Sequence, residues 1–256
     1  MRAEVKVGKE QQEHPLIFQR LLWEESIWAI KESIRFTHFQ NFRSHIKQNL
    51  PQNSQYVRKR YTSSILYWFF PDRSLDTLPA LVWKAYHDDC ILKDIMRYLY
   101  LDREKIVANF VLEYILPLTP GAVVDAPYFE DYLRKEYGVV KKDPKNFLRC
   151  AIRDLGFIEK NTRQNAIVQA LSLPKTAILI LIHYLFAQRP QTVSVKNILA
   201  HNFWKLLGIR KIEDVKKILR EADAKGLISK YIIADQLEQI TTKFTLKEFL
   251  DRKMKL

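Results

Sequence analysis

The sequence predicts a mainly α-helical protein. Three observations carry that prediction. Glycine is scarce, with only six in 256 residues. Apolar residues recur at the helical period over long stretches. A helix, glycine and apolar-pair pattern occurs twice in the second half of the chain. Few glycines disfavour folds built on glycine-rich phosphate loops or many tight hairpins. Apolar residues make up 47% of the chain, enough to bury a sizeable core, which a disordered chain lacks.

Residues 1–13 are polar and predicted to fray. From Leu16 to Phe36 the residues Leu21, Leu22, Ile27, Trp28 and Ile34 fall at helical spacing. A second helix fits Thr37–Gln48, with Phe39, Phe42 and Ile46 inward. Leu50–Ser54 is a turn in which Asn53 or Ser54 is placed to cap a third helix, which stops at Pro71. That third helix, QYVRKRYTSSILYWFF, is basic. Three such helices resemble a helix-turn-helix unit, and equally a three-helix bundle with a solvated basic face. Residues 78–116 add two or three helices.

Leu116–Pro127 packs three prolines and Gly121 into twelve residues and marks the boundary of a helical domain, 1–118. Beyond it, NFLRCAIRDLGFIEK (Asn146–Lys160) aligns with VKKILREADAKGLISK (Val215–Lys230) when Gly156 is laid over Gly226. Phe157–Ile158 then matches Leu227–Ile228. Each is an amphipathic helix stopped by a glycine, which suits the left-handed residue after a helix, and then an apolar pair that begins a strand. Helix, glycine, strand, turn, strand is the order in which winged-helix modules join helix to wing. In the second copy Thr176–Ala187 and Val195–Leu207 supply the first two helices, and the third is Ile212–Lys225. That third helix has an Ile212/Val215/Leu219/Ala222 face. Its wing turns at Asp235–Gln236. In the first copy the preceding helix is Tyr128–Tyr137 and the wing, NTRQNAIVQAL, is short. The expected architecture is therefore a helical amino-terminal domain with a helix-turn-helix-like unit, followed by one or two winged-helix modules: a helical or winged-helix-like segment, 119–173, and a winged-helix domain, 174–256. A helix-capping glycine before any strand gives the same pattern, and winged helices also serve protein contacts.

The net charge of +13 attracts polyanions. Residues 1–150 carry 23 basic and 19 acidic residues, a net of +4, whereas 151–256 carry 19 and 10, a net of +9. Two windows hold no carboxylate. Ser33–Pro71 contains Arg35, Arg43, Lys47, Arg58, Lys59 and Arg60; Lys160–Ile212 contains Lys160, Arg163, Lys175, Arg189, Lys196, Lys205, Arg210 and Lys211. Removing acids over such lengths avoids repelling phosphates. The candidate nucleic-acid-binding residues are Arg43, Lys47, Arg58, Lys59, Arg60 and Tyr61 in the first half and Lys216, Lys217 and Arg220 on the third helix of the second copy. Lys and Arg release counterions from phosphates and can reach guanine edges. Asn53, Gln55, Ser63 and Ser64 could add phosphate hydrogen bonds, and Tyr56 could contact sugar or stack.

Two isolated cysteines, Cys90 and Cys150, make neither a disulfide framework nor a zinc site. The first residues lack an apolar signal core, and the longest apolar run, Ala177–Ile182, is far below the ~20 residues a bilayer requires. The expectation is a cytoplasmic protein with no membrane partner. His87-Asp88-Asp89-Cys90 is the most enzyme-like cluster, but only His87 and Cys90 could share a helix face. His183 reads as a core residue. The acidic pair Glu130–Asp131 reads as a solvated helix face. No GxSxG, HExxH, GxxxxGK[ST] or GxGxxG occurs. Neither a catalytic residue, a metal ligand nor a cofactor is expected, although a helical nuclease gathering Asp88, Asp89 or Glu130 around a metal is the third reading.

The segments RLLWEESIWAIKESIRF, NLPQNSQYVRKRYTSSILYWF and NFLRCAIRDLGFIEKN resemble the BrxA proteins of BREX phage-defence systems. The shared features are the Leu-Leu-x-Glu-Glu-Ser start at Leu21–Ser26, the Asn49–Leu50 turn before a basic helix, and the Leu148–Ile158 helix with its glycine. The resemblance covers roughly 15–165, and the tail after about residue 174 departs from it. It implies a non-enzymatic, DNA-binding accessory of a multi-protein defence system, with double-stranded DNA and other defence proteins as partners and self-association possible. The competing expectation is a protein-interaction scaffold whose basic faces meet acidic protein partners.

Overall fold

The computed structural model describes residues 20–138, 142–162, 164–234 and 237–256. The chain is mainly helical, with small antiparallel sheets. Helices α1 (Trp23–Ser33), α2 (Phe39–Asn49) and α3 (Gln55–Phe69) form the first layer. Phe42 and Ile46 are fully buried, and Phe42 meets Phe70 with ring centroids 4.8 Å apart. The first helix is shorter than its periodicity predicts. Residues 16–19, like the polar 1–13, lie outside the described residues, and Ile34 is 40% exposed because α1 ends one residue before it. Ser54 occupies the N-cap position of α3, but its side chain makes no capping hydrogen bond.

Next come α4 (Leu78–Tyr86), α5 (Asp89–Arg103), α6 (Lys105–Phe110) and a π-helical turn, Val111–Ile115. Asp88 caps α5 by accepting from the backbone N–H groups of Cys90 and Ile91. Helix α5 is the central post: Leu92, Ile95, Met96 and Leu101 are fully buried, and it packs on α3, α4, α6 and the later helices.

The remaining chain repeats one topology. The first unit runs β1 (Val123–Val124), α7 (Ala126–Tyr137), α8 (Lys142–Asp154), β2 (Ile158–Lys160), β3 (Ala166–Val168), in sheet order β1-β3-β2. The second runs α9 (Lys175–Phe186), β4 (Thr192–Ser194), α10 (Val195–Ala200), α11 (Phe203–Leu206), α12 (Ile212–Ala224), β5 (Lys230–Ala234), β6 (Leu237–Thr241), in sheet order β4-β6-β5. All pairings are antiparallel. Helix α13 (Leu246–Asp251), opened by a Thr245–Glu248 capping box, closes the chain.

The two aligned glycines do the same work in each unit. Gly156 and Gly226 have φ of 86° and 65°. The amide after each bonds back across the cap, Phe157 to Ile152 O and Leu227 to Ala222 O, which is the double-bonded left-handed helix cap. Strands β1 and β4 were not foreseen; two or three residues are too short to show alternation. The predicted Val195–Leu207 helix is two helices, broken where His201 turns extended. Ile212, placed on the apolar face of α12 by its spacing, is 41% exposed; Ile218 is buried there instead. The wing turn at Asp235–Gln236 and Arg163 fall outside the described residues.

One continuous core runs through all of this, from Leu21 to Leu250. Hydrogen bonds join the residues before 119 to both later segments. Arg210 donates to the carbonyls of Leu116 and Leu118, and Tyr86 donates to Met254 O at 2.7 Å. Arg97, on α5, donates to Leu155 O at 2.8 Å. Ala177–Ile182 is fully buried within α9. Among the described residues no helix is long and apolar enough to cross a membrane.

Candidate nucleic-acid interface

Helices α2 and α3 form an antiparallel-looking pair around the 50–54 turn, since Arg58 near the start of α3 reaches Gln48 O at 2.9 Å while Phe70 after α3 meets Phe42. Residues four apart on a helix share a face. Phe39, Arg43 and Lys47 therefore line one stripe of α2, and Lys59, Ser63 and Tyr67 one stripe of α3. Arg43, Lys47, Lys59 and Arg60 are all exposed, and none joins an ion pair among the described residues. Arg35, in the same acid-free window, is held by Glu32 at 3.0 Å.

Three of the expected contributors make contacts within the fold. Arg58 is half-buried; its Nη1 donates to Gln48 O, and its Nε is buried and unpartnered. Ser64 is 7% exposed and donates to Arg60 O. Tyr61 is half-buried against the core. By contrast Tyr56 is 74% exposed, and Asn53, Gln55 and Ser63 are exposed, although the Ser63 hydroxyl donates to Lys59 O.

The second cluster, on α12, is mixed in sign. Lys217 and Arg220 are exposed. Lys216 is held by Glu238 of β6 at 2.5 Å. The Arg220 guanidinium lies 5.9 Å from the Tyr231 ring centre, on the neighbouring strand. Glu213 and Asp214 occupy the first turn of α12, where the helix dipole favours carboxylates. Glu221 is drawn to Lys175 at 2.5 Å, and that hydrogen bond holds its carboxyl below the usual range. In the first unit, Lys145 is taken by Glu130 at 2.9 Å and Arg153 by Asp154 at 2.8 Å. Cations outside any ion pair among the described residues occur in both halves of the chain; those on α2 and α3 come from a stretch of sequence without a carboxylate. Arg210 is similarly lost to the surface, desolvated against the two carbonyls it bridges, which lowers its pKa.

The candidate acids do not converge. Asp88 caps α5 and meets Lys255 at 2.9 Å, Asp89 pairs with Lys31 at 2.5 Å, and Glu130 faces Lys145. His87 sits in the left-handed region at the end of α4, edge-on to Trp83, and Cys90 is exposed. Among the described residues no group of three His, Cys, Asp or Glu side chains is placed to hold a metal ion. His183 is fully buried; one ring nitrogen bonds Leu179 O at 2.8 Å, and Nε2 is unpartnered beside the Phe249 ring.

The class of molecule these features define is a helical protein with two helix–sheet units of the same strand order and a set of exposed cations on α2 and α3. Comparison with protein-family models, curated proteins and solved structures yields no match for this chain.

Proposed function

We propose that the protein is a non-enzymatic, cytoplasmic DNA-binding accessory that contacts duplex DNA chiefly through phosphates, in a phage-defence system of the BREX type. In this reading the two repeated units are winged-helix modules, and α2–α3 is a helix-turn-helix-like element. The supporting observation is the surface made by Arg43, Lys47, Lys59 and Arg60: exposed, free of ion pairs among the described residues, and drawn from a 39-residue stretch without a carboxylate. Unpaired cations on rigid helices neutralise phosphates without first breaking an internal pair. The winged-helix reading is supported by the order strand, two or more helices and hairpin, with the first strand beside the last, in both units, and by the helix α9 that precedes the second. The phage-defence context is supported by the resemblance of the Leu21–Ser26, Asn49–Leu50 and Leu148–Ile158 segments to the BrxA proteins.

Electrophoretic shifts with random-sequence duplex DNA across a salt series test the reading. The expected result is retardation at low salt that is lost steeply as salt rises. No shift at low salt overturns it. A second reading, a scaffold for protein partners, is favoured by the second unit's hairpin, where Ile233 and Leu237 are 59% and 52% exposed. Those aliphatic side chains sit on the wing of the unit whose helix cations are partly tied down. A protein contact through that hairpin predicts that charged substitutions of Ile233 and Leu237 abolish partner capture and leave the DNA shift intact.

A further inference from the structure

A groove of about 420 Å³ opens between α2 and α3 at the end where the chain turns past Pro71. Three arginines are among its lining residues: Arg43 from α2, Arg73 from the turn after α3, and Arg103 from the last turn of α5. Phe39, Ser63 and Tyr67 complete its sides. None of the three arginines has a carboxylate within ion-pair distance among the described residues. The acids beside Arg103 in sequence are engaged elsewhere, Asp102 with Lys105 at 3.1 Å and Glu104 with the Trp68 indole N–H at 2.6 Å. No carboxylate lines the groove. Guanidinium groups from three elements beside one groove offer charge-assisted hydrogen bonds to an anion. Arg73 is also one of few non-glycine residues with positive φ, 51°, held by its amide bond to Phe70 O at 3.2 Å.

The aromatic side of the groove narrows the kind of anion. Tyr67 is 55% exposed, and the Arg103 guanidinium lies 5.7 Å from its ring centre. A cation against one face of an exposed ring leaves the other face to a flat ligand. Aromatic platforms interleaved with guanidinium groups are how proteins hold unpaired bases and their phosphates. A base stacked inside a duplex cannot lie on a side chain, so such a platform selects an unpaired one. The cavity is in the range that holds a small ligand. Lys47 and Lys59, one helical turn of about 5.4 Å beyond Arg43 and before Ser63, extend the positive track for neighbouring phosphates.

We propose that this groove binds a nucleotide of single-stranded DNA, its base on Tyr67 and its phosphate among Arg43, Arg73 and Arg103. This goes beyond duplex binding, which engages outward-facing cations and needs no stacking surface. The test is fluorescence anisotropy of the full chain with three labelled probes: an oligothymidylate, an abasic strand of equal length, and a blunt duplex. The wild type is expected to bind oligothymidylate about tenfold more tightly than the abasic strand. Tyr67→Ala removes that preference and leaves duplex affinity within twofold; Tyr67→Phe restores it. Arg103→Gln weakens oligothymidylate binding and lowers its salt slope by about 0.7. Tyr67 and Arg103 are not among the buried core side chains, and a thermal melt of each variant confirms an intact fold. Equal affinity for the abasic and thymidylate strands, or equal binding by wild type and Tyr67→Ala, overturns the proposal. So does displacement of the oligonucleotide by a phosphopeptide or anionic vesicles at lower concentration than by unlabelled strand. Loss of duplex binding with the thymidylate preference intact would defeat the duplex reading alone.

Discussion

Lys216 Nζ lies 2.5 Å from a carboxylate oxygen of Glu238, joining the third helix of the second unit to its hairpin. Glu238 also accepts the Tyr231 hydroxyl, and the Tyr231 ring faces Arg220. The pair therefore does two things. It ties helix α12 to the β5–β6 hairpin, and it takes one cation out of the set available to an external anion.

Glu238→Gln is expected to strengthen duplex binding and steepen its salt dependence by about 0.9, one added phosphate contact. Lys216→Gln is expected to change affinity little. Because the pair is partly exposed, either change should alter stability by less than about 1 kcal/mol. Anisotropy titrations at three salt concentrations distinguish these outcomes. A large loss of affinity in Lys216→Gln would mean that the pair opens on binding.

Neighbouring residues of α3 should separate cleanly into binding and folding roles. Lys59→Gln with Arg60→Gln should lower duplex affinity and reduce the salt slope by about 1.8, with an unchanged melting temperature. Arg58→Gln should destabilise the fold by about 0.5–1.5 kcal/mol, since it removes the bond that closes the α2–α3 turn at Gln48 O. Urea unfolding and DNA titration on the same variants check both halves.

Leu171, in the connector between the two units, is wedged against two left-handed glycines. A Cβ at Gly208, where φ is 89°, would stand 2.5 Å from Leu171 Cδ1, and one at Gly156 would stand 3.3 Å from Cδ2. Gly208→Ala is expected to cost about 1–3 kcal/mol from backbone strain and the clash together. Adding Leu171→Ala should recover the clash and not the strain. A double-mutant cycle by urea unfolding reads the coupling directly.

His183 supplies a pH dependence. Burial pushes its pKa below the ordinary value of about 6.5, while the Leu179 carbonyl opposes that shift. Its ring packs on Phe249. The unfolded chain thus binds a proton that the folded chain refuses. Stability is fully present above about pH 6.5 and falls as the pH drops toward the lowered value. Urea midpoints at pH 7.5 and 5.5 should differ, and His183→Leu should shrink that difference. An unchanged difference in the variant would place the effect elsewhere.

Much of the secondary structure was legible because it rests on local physics. The 3.6-residue spacing of Phe42 and Ile46, the stop at Pro71 and the matched glycines 156 and 226 all report on their own few neighbours. Short strands were not legible. Val123–Val124 and Thr192–Ser194 become strands only because β3 and β6 offer a free edge beside them. The site was half legible for the same reason. Arg43, Lys47, Lys59 and Arg60 stayed on the surface as the acid-free window implied. Arg58, one residue from Lys59, was captured by a carbonyl ten residues away.

By itself the sequence determined which segments would be helices, where glycine would end them, and that positive charge would be in excess, since each depends on spacing and composition along the chain. Only the tertiary structure decided which cations remain unopposed. Pairing is set by distance in space: Glu238 reaches Lys216, Glu221 reaches Lys175, and the carbonyls of Leu116 and Leu118 reach Arg210. It also brought Arg43, Arg73 and Arg103 from three separate elements to one groove, a gathering that no spacing along the chain encodes.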